Sequence, residues 1–498
     1  MYRNSRQLSA LFLATFVLSS CGGGGGSSAP GNTAPVANAG VDQSVSAGAL
    51  VNLDGSSSSD AENDALTYTW TLTKPAGSSA TLSNTNSVNP AFTADVDGTY
   101  LASLVVNDGT VDSSADEMAV STVWMLNTSG ETAVMMTNAD SSAIEVNVQS
   151  VSISNVGGTD FYQVNASGIP SYQHSMTNTE ITTLNSRPKA STDFKSGSAT
   201  TATAGNSYDF GADINFASRE GGVSGCYANS GSGAGWFPPG PSCPTDQGYQ
   251  VYFPVTPAQA TSTCYTQVNS VGLYKNGAAI FNWSDDMSYN NAGAWHQLAA
   301  KFEVYDLDVC FGHATQNGTY HQHLEANCLA EQVADTGTAH SPIYGYAGDG
   351  YPIYGMWHAN GVKAQSCWKI RDYDNRSAGT TGCVGGSAGQ RTCVLSNPYD
   401  YTQGTTAATG PSTSTIITSA SGNTFTVAGG YYFEDYYYDS SCAAAGNQYL
   451  DEHNGHNHDS YGYHYHVTET FPYNVGPTYY GRLHSNSIGR CGATPAGP

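Results

Sequence analysis

The stretch DEHNGHNHDSYGYHYH, residues 451–466, repeats the plan of an earlier stretch, DVCFGHATQNGTYHQH, residues 308–323. Counted from the first aspartate, both have glycine at +4, histidine at +5, tyrosine at +12 and histidines at +13 and +15. Twelve of the thirteen histidines lie between His296 and His484. An internal duplication that keeps imidazoles and carboxylates in register indicates a shared chemical role. Because these groups are ligands of transition metals, the repeat predicts metal binding.

The paired histidines have the spacing of neighbours on one face of a β-strand. Side chains two residues apart in a strand point the same way, so two imidazoles can reach one ion at about 2.0–2.1 Å. The histidine eight positions earlier in each copy is the expected third ligand, whereas the tyrosines face the other way and pack. The predicted metal ligands are His313, His321 and His323 in the first copy and His456, His464 and His466 in the second.

Asp308 and Asp451, which open the two stretches, have two alternative roles in such a site. They can bind the ion directly, or they can accept a hydrogen bond from the second nitrogen of a ligating histidine and fix its tautomer. The spacing leaves open whether the copies build two sites or together close one. It also leaves open a structural alternative, in which the histidines only hydrogen-bond within the protein.

Composition narrows the class of protein and of fold. The chain has 16 Lys or Arg against 40 Asp or Glu, and its net charge is −24. This balance repels nucleic acid and favours cations, so we expect no nucleic-acid partner. Glycine (56) and tyrosine (33) are abundant and charged residues are 11% of the chain, which suits short strands and irregular turns. We therefore predict an all-β fold: an immunoglobulin-like β-sandwich, then a larger β-rich, disulfide-stapled domain with long loops.

The N-terminus has the features of an export signal. An apolar run from Leu8 to Leu18 follows two arginines and is too short to span a bilayer, but it has the length of a signal-peptide core. It ends in Leu-Ser-Ser-Cys21, which resembles the lipobox of bacterial lipoproteins and implies lipidation of Cys21. Residues 1–20 are then a signal peptide and residues 21–32 a Gly/Ser-rich tether. We expect an exported protein, anchored through lipid to the bacterial envelope at the outer membrane or cell surface; an ordinary secretory signal is the alternative.

The cysteines suit an oxidising compartment. Eleven are present, and ten remain when Cys21 is set aside, an even number that predicts disulfides in an exported chain. Spacing alone does not determine their connectivity. The pairs that lie close in sequence are Cys226 with Cys243, Cys310 with Cys328, and Cys383 with Cys393.

Residues 33–123 have short alternating runs of apolar and polar residues, with D-G and N-D turns about every ten residues. This pattern predicts a β-sandwich, with Trp70 pointing into its core. The segment resembles the PKD domain, an immunoglobulin-like module of bacterial surface proteins, and the resemblance implies a spacer or adhesion role. Asp54, Asp60 and Asp64 could bind calcium at one end of this domain, or serve only as solvated turn residues.

A second resemblance covers residues 124–482, with residues 483–498 left as a C-terminal tail. Its motifs, together with the histidine stretches, are Gly168-Ile169-Pro170, His340-Ser341-Pro342-Ile343, the segment from Asp349 to Gly355, and Tyr463-His464-Tyr465-His466. They resemble the YHYH domain of exported proteins, which implies no particular reaction. The first copy departs from the pattern, because Gln322 replaces the second tyrosine.

Two further groups lie near the repeats. His340 and Asp349 could supply a ligand or a general base, or Asp349 could only form a turn. Additional groups, His453, His458 and Asp459, crowd the second copy and could be auxiliary.

Three functions are compatible with these features. First, the YHYH-like domain of a lipid-anchored surface protein binds copper or zinc through the duplicated motif. Second, the site keeps an open coordination position and the protein is an extracellular metalloenzyme, hydrolytic or oxidative. Third, the chain is an adhesion module that recognises an extracellular polymer or a protein partner, and its histidines are structural. P-loop, G-x-S-x-G, H-E-x-x-H and dinucleotide fingerprints are absent from the sequence, so those enzyme classes have no support.

Overall fold

The structure, a computed structural model, describes residues 31–494 with gaps at 46, 76, 139, 187–198, 213, 216–225, 228–242, 305–306, 316, 376–381, 384–386, 419–423 and 459–460. The expected signal peptide, Cys21, almost all of the tether and the side chain of Cys226 lie outside the described residues. Strands dominate and helices are short, which confirms the all-β fold class.

The first part of the chain is a small sandwich with its own core. Its strands are β1 (Gln43–Ser44), β2 (Leu50–Asn52), β3 (Thr67–Thr73), β4 (Ala91–Thr93), β5 (Thr99–Asn107) and β6 (Asp116–Ser121). One sheet has the order β1-β6-β5-β3, and β2 pairs with β4 across the shared core. Trp70 is buried there as predicted, and its indole N–H donates to the carbonyl of Ser87 at 3.0 Å, so its polar atom is satisfied.

The aspartates considered for calcium stabilise turns in the structure. Asp60 Oδ1 accepts the backbone N–H groups of Glu62 and Asp64, both at 2.9 Å, and Asp54 Oδ1 accepts that of Ser56 at 2.9 Å. Within the described ranges, the ligand groups that could hold a metal include none of these carboxylates. Their geometry is that of Asx turns.

The sandwich packs against the rest of the protein. Leu101 and Ala119, on its outer face, share one buried apolar cluster with Trp124 and Leu273 of the following region. Nearby, Asp97 and Lys275 are close enough for their opposite charges to interact. Burial raises the pKa of Asp97 and lowers that of Lys275, and in each case the charge of the partner opposes the shift. The shared apolar cluster limits relative motion between the sandwich and the region that follows it.

Short sheets connect the sandwich to the centre of the fold. Their strands are β7 (Thr132–Thr137), β8 (Ala143–Glu145), β9 (Val148–Val156), β10 (Thr159–Ala166), β11 (Gln173–Ser175), β12 (Ser207–Asp209), β13 (Cys226–Tyr227), β14 (Tyr249–Pro254) and β15 (Tyr265–Thr266). The described helices are α1 (Asn178–Ser186), α2 (Ala299–Phe302), α3 (Asn327–Gln332) and α4 (Ser440–Ala443), with 3₁₀ turns at Tyr289–Asn291, Tyr401–Gln403 and Phe433–Asp435. None of the helices in the described part has the length and apolar character that a membrane span requires.

The remaining strands form or surround a central sheet. They are β16 (Ser270–Tyr274), β17 (Ala279–Phe281), β18 (Ser284–Ser288), β19 (His296–Leu298), β20 (Gly312–Ala314), β21 (Tyr320–Gln322), β22 (Ile343–Ala347), β23 (Pro352–Tyr354), β24 (Trp357–Ala359), β25 (Val362–Lys363), β26 (Trp368–Ile370), β27 (Cys393–Leu395), β28 (Thr405–Ala407), β29 (Ile416–Thr418), β30 (Thr424–Thr426), β31 (Tyr436–Tyr438), β32 (Gly455–His458), β33 (Gly462–His466) and β34 (Cys491–Gly492).

The central sheet shows that the duplication is larger than the histidine motif. Its order is β20-β21-β17-β16-β22-β23-β33-β32, and β16 and β22 pair antiparallel in the middle. On each side, a first hairpin (β16–β17 or β22–β23) is joined to a second (β20–β21 or β32–β33) through a parallel pair of strands. Ile280 pairs with Gln322 in one half, and Ile353 pairs with Tyr465 at the corresponding register in the other. The two histidine stretches therefore occupy equivalent places near opposite ends of the strand order.

Disulfides staple the larger domain. Two of the expected pairs close in sequence are disulfide-bonded, Cys310–Cys328 and Cys383–Cys393. Two further disulfides join residues far apart in sequence, Cys264–Cys491 and Cys367–Cys442. Cys243 is also disulfide-bonded. These bonds confirm the expectation of disulfides, and the long-range ones close loops that sequence spacing does not reveal.

Candidate metal centres

The fixed spacing of the repeat comes from one tight turn. Asp308 Oδ1 accepts the backbone N–H groups of Cys310 and Gly312, both at 2.8 Å, and its Oδ2 accepts the hydroxyl of Tyr320 at 2.8 Å. A Cβ atom at Gly312 would overlap that hydroxyl, so only glycine fits there. Phe311, at +3, has a left-handed φ of 59°. The +4 and +12 positions of the motif are thus explained by the turn and the tyrosine that packs over it.

The second copy builds the same turn. Asp451 Oδ1 accepts the backbone N–H groups of His453 and Gly455 at 2.9 and 3.0 Å, and its Oδ2 accepts the hydroxyl of Tyr463 at 3.0 Å. A Cβ at Gly455 would overlap the Tyr463 hydroxyl. Asn454 has a φ of 67° at the position of Phe311, and Asn adopts this conformation more readily than Phe.

The structure corrects the roles expected for the two aspartates. Neither Asp308 nor Asp451 belongs to a group of candidate ligands, and the atoms that they contact are backbone N–H groups and tyrosine hydroxyls, not imidazoles. Burial raises the pKa of Asp308 to about 7 and that of Asp451 to about 6, against the opposing effect of their hydrogen bonds and of nearby histidines. The carboxylates shape the turn because they face the tyrosine side of the strand, opposite the histidines.

The three predicted ligands of the first copy come together. The Nε2 atom of His321 lies 3.0 Å from that of His313 and 3.0 Å from that of His323. Nitrogens bound to one ion at 2.0–2.1 Å lie about 2.9 Å apart at right angles and about 3.3 Å apart at tetrahedral angles. The spacing of the three nitrogens therefore fits a shared ion, and all three side chains are buried.

Backbone acceptors determine where the imidazole protons lie. His321 Nδ1 is 3.0 Å from the carbonyl oxygen of Thr319, and His323 Nδ1 is 2.6 Å from that of Asn282. A carbonyl oxygen only accepts, so each Nδ1 carries a proton and Nε2 is the nitrogen that is left to bind an ion. The Nε2 atoms of His321 and His323 lie 3.0 Å apart, and a cation bound to both would stabilise this close approach.

A fourth donor, Glu303, completes the first group. It caps the C-terminus of α2, and its Oε2 lies 3.2 Å from His313 Nε2 and 2.9 Å from His323 Nε2. Burial alone would raise the pKa of Glu303, but the neighbouring His323 and His313 outweigh it and hold that pKa well below its usual value. The first site thus offers three imidazoles and one ionised carboxylate. Sequence reasoning missed Glu303, because it lies in an insertion that has no repeated motif.

The second copy forms an equivalent histidine triad. The Nε2 atom of His464 lies 3.1 Å from that of His456 and 3.2 Å from that of His466. Nδ1 of His464 faces the carbonyl oxygen of Gly462 at 2.9 Å, and Nδ1 of His466 faces that of Gly355 at 2.6 Å. These acceptors correspond to Thr319 and Asn282 in the first copy. In both halves, backbone carbonyl groups therefore hold a proton on Nδ1 of the paired histidines and leave Nε2 directed at the shared point.

Three more histidines surround the second triad. The groups that could hold an ion are His340 with His464 and His466, His358 with His456 and His466, and His458 with His456 and His464; the ligand atoms in each lie within 4.8 Å of one another. His340 and His458 were noted in the sequence, but His358, on β24, was not. His358 could have been suspected only from the crowding of histidines in this part of the chain.

The described ligand groups do not combine the two copies. Each group draws its histidines from one stretch and the segments near it, so the copies form two candidate sites rather than one. The geometry of the described residues therefore favours two candidate sites over one shared site.

Burial favours the neutral form of four of the six matched histidines. It lowers the pKa of His321 and His466 well below the usual value, that of His456 to about 4 and that of His464 to about 3, with neighbouring histidines adding to the effect. Neutral imidazoles are the form that binds metal. These shifts cover one histidine of the first triad and all three of the second, and they favour the metal-binding form of those rings near neutral pH.

Asp349 has a structural role next to the second site. Its Oδ2 accepts hydrogen bonds from the hydroxyl of Tyr465, at 2.5 Å, and from the backbone N–H of Gly481, at 2.8 Å. Its Oδ1 accepts one from the backbone N–H of Tyr351 at 3.1 Å. Burial raises its pKa to about 6 against these hydrogen bonds. The sequence left two alternatives for Asp349, a ligand or general base and a turn residue. These contacts are those of a turn residue.

Comparison with known families agrees with this architecture. Residues 39–123 match a family of PKD domains, and residues 250–476 match the family described as YHYH protein. The chain carries a PKD-like domain followed by a YHYH domain. All eight strands of the central sheet and both candidate metal centres lie inside the YHYH match. Residues 124–249 lie outside both matches, so the predicted domain limits at 33 and 124 stay predictions.

Two solved structures share segments with this chain. One is the PKD domain of the KIAA 1837 protein, 29% identical over 19% of this chain and 89% of that chain, with a TM-score of 0.16. The other is a nucleoside hydrolase-related hypothetical protein from Saccharophagus degradans, described as associated with carbohydrate metabolism, 24% identical with a TM-score of 0.16. That match covers 18% of this chain and 26% of that chain, so the likeness spans about a quarter of that protein. No curated protein matches the chain.

Proposed function

We propose that the YHYH domain binds transition-metal ions at two sites, and that the first site takes zinc or copper. The observation that carries the proposal is the close grouping of four donors, the Nε2 atoms of His313, His321 and His323 and the carboxylate of Glu303. Imidazole with one carboxylate is a ligand set that suits zinc or copper better than calcium.

Metal binding is favoured over metal catalysis at the first site. Three imidazoles and one carboxylate fill four positions, which is the closed coordination of a structural or stored zinc ion. A catalytic zinc keeps one position for water. The histidines His313, His321 and His323 are 4%, 2% and 3% exposed and the side chain of Glu303 is 28% exposed, so the three imidazoles are buried and only the carboxylate is partly open to solvent. These features support a binding or carrier role.

The cellular setting in the proposal rests on the sequence. The Leu-Ser-Ser-Cys21 motif supports a lipid anchor at the bacterial envelope, and the disulfides suit an oxidising compartment outside the cytoplasm. The membrane, through this lipid, and the metal ion are the proposed partners. Incorporation of labelled fatty acid into the full chain, and its loss in Cys21→Ser, would test the anchor.

Metal quantification tests the proposed function directly. The full chain, purified without a histidine tag, should carry metal in stoichiometric amount, and the double variant His321→Ala/His323→Ala should carry at least one equivalent less. His484→Ala is the matched control, because its ring packs on Phe161 away from either site and its removal should leave the metal content unchanged. Equal metal content in the double variant and in the parent would remove the first site from the proposal.

A further inference from the structure

The second site has more donors than a four-coordinate ion can use. Six imidazoles meet there, the matched triad and three additional rings, and the described donor groups at this site contain no carboxylate. At the first site, by contrast, three imidazoles meet a single carboxylate. The two centres therefore differ in the number and kind of their donors, although their turns and strands are equivalent.

The additional rings are distributed evenly around the triad. The three triad histidines can be taken as the corners of a triangle, and each added ring groups with a different pair of corners. The pairs are His464 and His466 for His340, His456 and His466 for His358, and His456 and His464 for His458. Each added imidazole thus lies beside a different edge of the triangle formed by His456, His464 and His466. Two triangles in which each corner of one faces an edge of the other have the outline of an octahedron. No described group joins donors at opposite corners within 4.8 Å, so one ion bound to all six would draw the rings inward.

Individual contacts support this arrangement. The Nδ1 atom of His340 faces the carbonyl oxygen of Ser341 at 2.8 Å, so its lone pair is on Nε2, which is buried and has no hydrogen-bond partner. The rings of His340 and His466 are 5.1 Å apart, and those of His358 and His456 are 5.3 Å apart. His358 also packs against His458 at 4.3 Å, so the added rings contact each other as well as the triad.

We propose that the second site is a six-histidine cage that holds one divalent ion in octahedral coordination, of the class of Ni²⁺, Co²⁺ or Fe²⁺. This inference rests on the proposed function, since it takes the matched histidines as ligands. Zinc prefers four tetrahedral ligands and Cu²⁺ a tetragonal set, whereas six equivalent imidazoles suit ions that accept regular octahedral geometry. One YHYH domain would then carry two centres with different metal preferences.

Cobalt is the probe for the test, because tetrahedral Co²⁺ absorbs visible light strongly and octahedral Co²⁺ weakly. The full chain with His321→Ala/His323→Ala isolates the second site, and after metal removal it should take up one equivalent of Co²⁺ with the weak octahedral spectrum. The triple change His340→Ala/His358→Ala/His458→Ala in that background should convert the spectrum to the intense four-coordinate form. It should also reduce the preference for Ni²⁺ over Zn²⁺ by about tenfold or more.

His453→Ala is the matched control for the triple variant. His453 lies in the same segment, but its Nδ1 faces the hydroxyl and carbonyl oxygens of Thr478, at 2.8 and 3.1 Å, and it belongs to none of the groups. Its removal should leave the weak cobalt spectrum unchanged. An intense tetrahedral spectrum, or two equivalents of Co²⁺, at the unaltered second site would overturn the cage, and this outcome does not depend on the folding of the triple variant. If neither the parent nor the double variant takes up Co²⁺, the proposed function itself fails.

Discussion

At the scale of single residues, the two faces of one strand have different roles in each copy of the motif: one face carries the histidines and the other carries the tyrosine that packs on the turn. On one face, His321 and His323 direct their nitrogens at the site, and on the other the hydroxyl of Tyr320 bridges Asp308 and Tyr172 at 2.8 Å to each. The tyrosine and the aspartate hold the turn that presents the histidines. A change on the tyrosine face should therefore alter stability more than metal content.

We predict that Tyr320→Phe lowers the free energy of unfolding by about 1–3 kcal/mol and leaves the metal stoichiometry unchanged. The ring still packs, but Asp308 and the hydroxyl of Tyr172 each lose a buried hydrogen-bond partner. Urea unfolding and metal quantification measure the two effects. Tyr68→Phe, on sandwich strand β3, is the control and should change neither. Loss of one metal equivalent with unchanged stability would instead place the Tyr320 hydroxyl in the site.

The sequence predicted the histidines of both sites but only part of their surroundings. Repetition at fixed spacing identified both triads because strand periodicity places the paired rings on one face. Glu303 and His358 were missed, because both lie in insertions whose approach to the sheet depends on tertiary packing. The aspartates were assigned the wrong neighbours, since spacing alone does not say whether a turn carboxylate faces the imidazoles or the tyrosines.

At the scale of elements, hairpins were more predictable than their pairing. Asn276-Gly277 and Asp349-Gly350 are residue pairs that favour tight turns, and both turns form, with Gly277 and Gly350 at φ of 81° and 90°. The parallel contacts of β17 with β21 and of β23 with β33 were not predicted. They join strands that are far apart in sequence, and the residue types of a strand do not indicate which distant strand it pairs with.

We predict that Gly455→Ala destabilises the second hairpin, because its Cβ would overlap the Tyr463 hydroxyl and a backbone carbonyl oxygen. Overpacking of this kind costs about 1–3 kcal/mol, and the displaced turn should also weaken metal binding at the second site. Thermal unfolding and the metal content of the variant measure both. Gly31→Ala is the control, since no atom lies within 4 Å of a Cβ there. Equal melting temperatures for the two variants would contradict the steric reason given for glycine at +4.

At the scale of the whole molecule, the PKD-like domain and the YHYH domain share buried surface. Leu101 lies in a cluster with Trp124 and Leu273, so unfolding of the sandwich would expose apolar surface of its neighbour. We predict one calorimetric unfolding transition for the full chain. Leu101→Ala should split or broaden it, because a Leu→Ala change in a packed cluster costs about 2–5 kcal/mol. Val51→Ala, in the interior of the sandwich, should lower the transition temperature without splitting it, and two transitions in the parent chain would show that the domains are independent.

Buried histidines also make the stability of the metal-free protein depend on pH. The pKa of His456 is lowered to about 4 and that of His464 to about 3, mainly by burial, and those of His321, His340 and His466 are lowered as well. Between about pH 6.5 and 4 the unfolded chain binds protons at these rings and the folded chain does not. Their contribution to stability is complete above pH 6.5 and is lost as the pH falls.

Buried carboxyls act in the opposite direction. Burial raises the pKa of Asp308 to about 7 and those of Asp349 and Asp451 to about 6, so in the same window the folded chain holds protons that the unfolded chain has released. Burial also raises the pKa of Asp285 to about 8, which adds a fourth carboxyl to this effect. Five histidines oppose these four carboxyls, and we therefore predict that acidification from pH 6.5 to 5 destabilises the metal-free protein by on the order of 2 kcal/mol. Urea unfolding at several pH values measures this slope. His456→Gln/His464→Gln should flatten it by removing two of the rings, and a stability that rises on acidification of the parent chain would mean that the carboxyls dominate.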